Sequence, residues 1–226
     1  MEDNDEIESD KKDPNCLKIT LIGDSGVGKT CIINRYAQNE FTENTDSTLG
    51  VGYKKKAFEF NGKTYQLDLW DTAGQEQYRS LGKHFYKDSF IVILVYDITS
   101  RESFDNLKSV WIEDVINFGE KNKVLAIVGS KKDLYEDNEA VTYQDGQNLA
   151  KEYDAVFMEV SSKNGTNINL LFETCVKKYL DPNFQVVIEE DIKKNEDSRV
   201  IRKKTIRKKK KLTKKNVVDK KFNMLN

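Results

Sequence analysis

Leu17-Lys18-Ile19-Thr20-Leu21-Ile22-Gly23-Asp24-Ser25-Gly26-Val27-Gly28-Lys29-Thr30-Cys31 is the stretch on which the reading of this chain turns. Its first half is a short apolar run of strand character. Its second half fits the pattern G-x-x-x-x-G-K-[ST], and residues 29–36 continue with helical character. Strand, glycine-rich turn and helix in that order make a phosphate-gripping loop. The glycines let successive backbone N–H groups curl toward phosphate oxygens, and the helix start adds its positive dipole end. Asp24, Ser25, Gly26, Val27, Gly28 and Cys31 then surround the phosphates of a nucleotide, Lys29 reaches the outer phosphates, and the Thr30 hydroxyl ligates Mg2+. An accidental glycine turn is the bland alternative, and the flanking strand and helix count against it. Alone, the motif fits many ATP- and GTP-using proteins.

Working outward, the ends of the chain differ from its body. Residues 1–13 carry a net −5 and residues 193–221 a net +12, although the whole chain sums to −1. Both ends read as tails, giving an acidic disordered tail at 1–13, a domain at 14–182 and a basic, disordered tail at 183–226. The three cysteines, Cys16, Cys31 and Cys175, lack metal-ligand spacing and read as reduced thiols of a cytosolic protein. The longest strongly apolar run, 90–95, is far too short to cross a bilayer.

Between the tails, strand and helix alternate. Residues 53–60 and 65–70 flank Asn61-Gly62, a strong two-residue hairpin signal. Residues 90–96 and 124–128 are continuous apolar runs, as in strands buried on both faces. Phe104, Leu107, Trp111, Val115 and Phe118 recur at helical spacing, and 142–153 and 167–179 read as further helices, with 155–160 a strand between them. This order predicts an α/β fold of the P-loop NTPase type: a mostly parallel six-stranded sheet with one antiparallel edge hairpin and helices on both faces. Ligands of such sheets sit beyond the carboxyl ends of the strands.

Three further segments at strand ends carry chemistry. In Asp71-Thr72-Ala73-Gly74-Gln75-Glu76, Asp71 can hold Mg2+ through water, Gly74 can offer its N–H to a terminal phosphate, and Gln75 can orient an attacking water. In Gly129-Ser130-Lys131-Lys132-Asp133-Leu134, Asp133 can accept two hydrogen bonds from guanine, at its ring N–H and amino group, whereas adenine presents no such donor pair. Lys131 can lay its aliphatic stem over the base. In Ser161-Ser162-Lys163 a backbone N–H can meet the guanine carbonyl oxygen. Taken singly, the last two segments read equally as ordinary loops.

The chain resembles the Rab branch of the Ras-like small GTPases over residues 16–180. The motifs that carry the resemblance are GDSGVGKT at 23–30, STLGVGYKKK at 47–56, WDTAGQEQYRS at 70–80 and ILVYDITSRESFDN at 93–106. The resemblance implies a GTP-binding switch that hydrolyses GTP to GDP, with Mg2+ as cofactor, vesicle traffic as its setting, and an exchange factor, an activating protein and effectors as partners. It implies that Thr48 binds Mg2+ and the terminal phosphate, that Phe41 packs against guanine, and that Tyr53, Trp70 and Phe85 contact effectors; plain core packing is the other reading of Trp70 and Phe85.

Two departures from the family stand out. Ser130 replaces the Asn of the usual Asn-Lys-x-Asp loop, which predicts weaker nucleotide binding. No cysteine follows Cys175, so attachment to membrane is expected without a prenyl group, by charge or through a partner. Gly52 in place of an acid and Ser162 in place of Ala are minor differences. The basic run at 207–211 suits a solvated tail first and contact with anionic membrane second, with an import signal or nucleic-acid contact behind; no aromatic residues interleave it, which speaks against base stacking. The expected location is the cytoplasm or the surface of endomembranes. Two other functional classes remain open at this point: an interaction module with weak nucleotide binding, which Ser130 supports and Gln75 opposes, and a P-loop ATPase or kinase, which Asp133 opposes.

Overall fold

The computed structural model describes residues 13–43, 48, 51–72, 86–118, 122–135 and 140–184. β1 (Cys16–Ile22) leads through the glycine turn into α1 (Lys29–Gln38). β2 (Val51–Phe60) and β3 (Lys63–Thr72) form an antiparallel hairpin paired from Phe60↔Lys63 to Val51↔Thr72. Its turn is Asn61-Gly62, both with positive φ (50° and 74°). That backbone matches the twist of the flanking strands, which is why Asn-Gly announces a hairpin.

β4 (Ile91–Asp97) is buried at every position, and β5 (Val124–Ser130) and β6 (Val156–Glu159) complete six strands in the order β2-β3-β1-β4-β5-β6. Apart from the hairpin, all pairings are parallel. The expected sheet is therefore the observed one. Helices cover both faces. On one, α1 meets α5 (Ile168–Leu180), with Tyr36 stacked on Phe172 at 3.8 Å. On the other, Val92, Leu94 and Tyr96 pack with Phe104, Leu107, Trp111 and Leu149. Leu149 belongs to α4 (Tyr143–Glu152), which opens on a full capping box between Thr142 and Asp145.

The helix that follows β4 is less regular than its sequence pattern suggests. It runs as α2 (Arg101–Asn106), a π-helical turn (Leu107–Ile112) and α3 (Glu113–Phe118), without a break in right-handed backbone at the junctions. Among the described residues no helix is long and apolar enough to cross a membrane. The expectations for the two tails fall outside the described residues.

Candidate functional site

β1 delivers the chain to a turn that only glycine can begin. Gly23 has φ 140°, and a Cβ there would stand 2.2 Å from the carbonyl oxygen of Val95. Gly28, left-handed at φ 96°, turns the chain into α1, whose first bond runs from Ile32 N–H to Gly28 O (2.9 Å). Lys29 at the helix start is buried, and its ammonium donates to Gly23 O (2.8 Å) and Asp24 O (2.7 Å). Burial pulls its pKa down to about 8. An ammonium has three N–H groups, so two such bonds leave one for a ligand oxygen.

The Asp24 carboxylate faces away from this turn's interior. Its Oδ2 accepts from Asn106 Nδ2 (2.8 Å) and its Oδ1 from Trp111 Nε1 (2.7 Å). Five positions along an α-helix amount to a rotation of about 140° from the starting face. The wider π turn between these residues brings side chains five apart back toward one side. The irregular turn thus lets two neutral donors grip one carboxylate of the P-loop.

Three oxygen-bearing side chains converge beside Lys29. Thr30 Oγ1 lies 2.9 Å from Thr48 Oγ1 and donates to Asp71 Oδ2 (2.7 Å). Asp71 is buried at the end of β3, and burial raises its pKa against the opposing pull of Thr30 and Lys29. Its other oxygen, Oδ1, has no hydrogen-bond partner among the described residues. A buried carboxylate oxygen without a donor is costly, and a small hard cation satisfies it. The described residues hold no cluster of three or more His, Cys, Asp or Glu. A cation here must therefore complete its shell with water and with the oxygens of a bound anion, which is how Mg2+ sits on phosphates. The donor set fits that ion.

The other end of the site is assembled from distant segments. Lys131 follows β5 in left-handed backbone (φ 62°), with its ammonium 2.6 Å from Asp97 Oδ2. A 3-10 turn (Lys132–Leu134) presents Asp133, whose Oδ1 accepts from Ser161 Oγ (2.5 Å). Arg35 of α1 donates to Ser162 O (2.6 Å) and Lys163 O (2.8 Å), and its guanidinium stands 6.0 Å from the Phe41 ring. Lys163 pairs with Glu43 at 3.0 Å, an exposed contact of little energetic weight. Ser130 is buried, with its hydroxyl 2.6 Å from Val27 O and 2.8 Å from Tyr96 O.

These groups enclose one cavity of about 340 Å³. Its walls include Ser25, Gly26, Gly28, Lys29, Thr30, Cys31 and Thr48 at one end, and Ser130, Lys131, Asp133, Ser162 and Lys163 at the other, with Phe41 also in the lining. Asp24, Val27, Asp71 and Ser161 stand behind the walls and bond to lining residues. Glu43, Thr72 and Leu134 also line the cavity and were not anticipated. Neither were Arg35, Asp97, Asn106 and Trp111, whose contacts cross the fold and leave no local signature. Gly74, Gln75 and Phe85 lie outside the described residues. Tyr53 and Trp70, opposite one another across the hairpin, pair edge-to-face with centroids 5.1 Å apart. Tyr53 is exposed, and the Lys18 ammonium lies 4.9 Å from the Trp70 ring.

The family model described as "Ras family" matches residues 18–181. Ras-related protein Rab-26 of Rattus norvegicus is 40% identical over 163 residues, covering 72% of this chain and 63% of the relative. Ras-related protein RIC1 of Oryza sativa subsp. japonica is 42% identical over 158 residues, 70% of this chain and 77% of the relative. Ras-related protein SEC4 of Saccharomyces cerevisiae is 40% identical over 161 residues, 71% of this chain and 74% of the relative. The chain spans less than two thirds of the length of the Rab-26 relatives it matches.

Proposed function

The chain belongs to the Ras family and is a Rab-like small GTPase by descent, and from that premise we propose that it is a guanine-nucleotide switch that hydrolyses GTP to GDP and recruits effectors in vesicle traffic. One observation carries this reading: Lys29, Thr30, Thr48 and Asp133 line a single cavity, with Asp71 behind Thr30, and a ligand that combines phosphates, a divalent cation and a base with paired donors suits that lining.

In this reading Lys29 and the N–H groups at the start of α1 bind the β- and γ-phosphates and stabilise the charge that develops on them during transfer. Thr30 and Thr48 would hold Mg2+ directly and Asp71 through water, and the ion would supply positive charge between the phosphates. Gln75 orients the attacking water. Segments 41–52 and 71–82 are the switches of this reading, responding to the terminal phosphate through Thr48 and Asp71. Unaided turnover should be slow, on the order of 10⁻⁴–10⁻³ per second as in the related Ras protein, and an activating protein would supply an arginine to stabilise the charge of the transition state. Tyr53 and Trp70 offer the effector-facing aromatic surface, and the basic segment at 202–215 supports reversible attraction to anionic membrane.

The test is the nucleotide that purified protein carries, followed by single-turnover hydrolysis. Bound GDP, slow hydrolysis of GTP, and a Gln75→Leu variant with intact affinity but slower hydrolysis are the expected results. Bound ADP would point to an ATPase. No affinity for any nucleotide would leave an interaction module, and an unchanged rate in Gln75→Leu would remove that residue from the mechanism.

A further inference from the structure

Guanine presents two kinds of group along its edge. Its amino group and ring N–H donate, while the carbonyl oxygen O6 and the ring nitrogen N7 accept. They follow one another around the rim in that order, and beyond N7 the ring turns toward the sugar and hence the phosphates. With Asp133 on the donor pair and the 161–163 backbone at O6, N7 falls on the side of the cavity that adjoins the P-loop. Ser130 is the side chain at that place: it lines the cavity and touches the P-loop through Val27 O.

Reading N7 requires a donor, and a serine hydroxyl has one hydrogen. Two backbone carbonyls already compete for it, Val27 O at 2.6 Å and Tyr96 O at 2.8 Å, in a residue only 3% exposed. Turning that hydrogen to the base would strip both buried carbonyls of the hydroxyl. Tyr96 lies on β4 and Val27 in the P-loop, so the hydroxyl also ties β5 to the neighbouring strand and to the phosphate end. Spending it on the ligand would loosen the wall that holds the ligand.

Building on the guanine-nucleotide reading above, we propose that this protein recognises guanine through its donor pair and O6 alone, with N7 unread, and that Ser130 is a specificity-determining strut rather than a base contact. The ligand class widens accordingly, from guanine nucleotides to those in which N7 is replaced by carbon. An amide at this position would behave differently, because it has two hydrogens and can keep a carbonyl while giving the other to N7.

Competition binding with the full chain in Mg2+ tests this, using GDP and 7-deaza-GDP against a fluorescent GDP. The wild-type protein should bind both within about twofold of each other. Ser130→Asn should prefer GDP by roughly tenfold. Ser130→Ala, which removes the strut, should weaken both ligands by the same factor, and it keeps the test decisive if the amide does not fit. A wild-type protein that prefers GDP over 7-deaza-GDP by tenfold or more would overturn the inference, as would an alanine variant that loses affinity for GDP alone. A chain that binds neither ligand would instead overturn the guanine-nucleotide reading, and this inference with it.

Discussion

The two ends of the cavity are built in opposite ways. The phosphate end takes most of its groups from one continuous stretch, 23–30, where backbone geometry and a helix terminus do most of the binding. The base end joins residues far apart in the chain: Asp133 to Ser161, Arg35 to Ser162 and Lys163, and Ser130 to Val27, across sequence separations of 28 to 128. The first is a local motif and the second a tertiary one. Loss of a group from the first should remove binding outright, because the ligand's charge is there. Changes in the second should alter release rate and selectivity, because each strut orients a neighbour that still remains.

The sharpest test of the contrast is Lys29→Ala. Lys29 is a buried cation with two backbone carbonyls as its protein partners, and the phosphates are what it serves. Loss of its charge and of the one ammonium N–H left for the ligand, about 3 kcal/mol at the top of the range for a charge-assisted hydrogen bond, should weaken GDP by roughly 150-fold. Protein that still purified with stoichiometric GDP would end the assignment of the phosphate end.

Asp71→Asn should come next. The substitution keeps size and one acceptor but removes the charge that the Thr30–Thr48 pair faces. Mg2+ affinity should fall by about 10- to 100-fold, as expected for an outer-sphere group, read from GDP release across a Mg2+ titration. A GDP release rate equally sensitive to Mg2+ in both proteins would place the ion elsewhere.

At the base end, Ser161→Ala removes the donor that fixes the Asp133 carboxylate. A hydrogen bond to a charged, part-buried group at the low end of its range, about 1.5 kcal/mol, corresponds to roughly tenfold in GDP affinity. ADP binding should not change. An equal loss for GDP and ADP would show that Ser161 supports the loop as a whole and not the reader of the base.

The contrast also explains what could be read from sequence. The P-loop, the hairpin at Asn61-Gly62 and the buried strands follow from local rules: φ > 0 at glycine or asparagine, period-two patterning, apolar runs between turns; the mostly parallel sheet follows from the alternation of strand and helix, and its strand order does not. Thr48 was placed beside Thr30 by resemblance alone, since nothing near position 48 announces a ligand. The Arg35 clamp, the Lys131–Asp97 pair and the double strut of Ser130 could not be foreseen, because each depends on which loops the closed sheet brings together. The π turn was hidden for another reason. Apolar spacings of three and four fit an α-helix and an α-helix with one wide turn alike, and only the Asp24 contacts give the difference a consequence.

That consequence is where the comparison can break. If the phosphate end were wholly local, a helix more than 80 positions away would have no hold on it; yet Asn106 and Trp111 donate to both oxygens of Asp24. Trp111→Phe removes the Nε1 donor and keeps most of the ring that packs in the core. Loss of one hydrogen bond to a carboxylate that Asn106 still holds should cost about 1 kcal/mol, and GDP should leave roughly fivefold faster. A simple packing defect could produce the same rate, so the decisive measurement is a cycle with Asp24→Asn. If the bond is the cause, Asp24→Asn will add less in the Trp111→Phe background than alone, with a coupling energy of about 0.5–1 kcal/mol. Fluorescence in a Trp70→Phe background gives a second readout, since Trp111 is then the sole indole and should respond when nucleotide is removed with chelator. Additive effects with a silent indole would leave the phosphate end as local as its motif. Coupling with a responsive indole would make α2 and its π turn a route by which contacts at that helix reach the nucleotide.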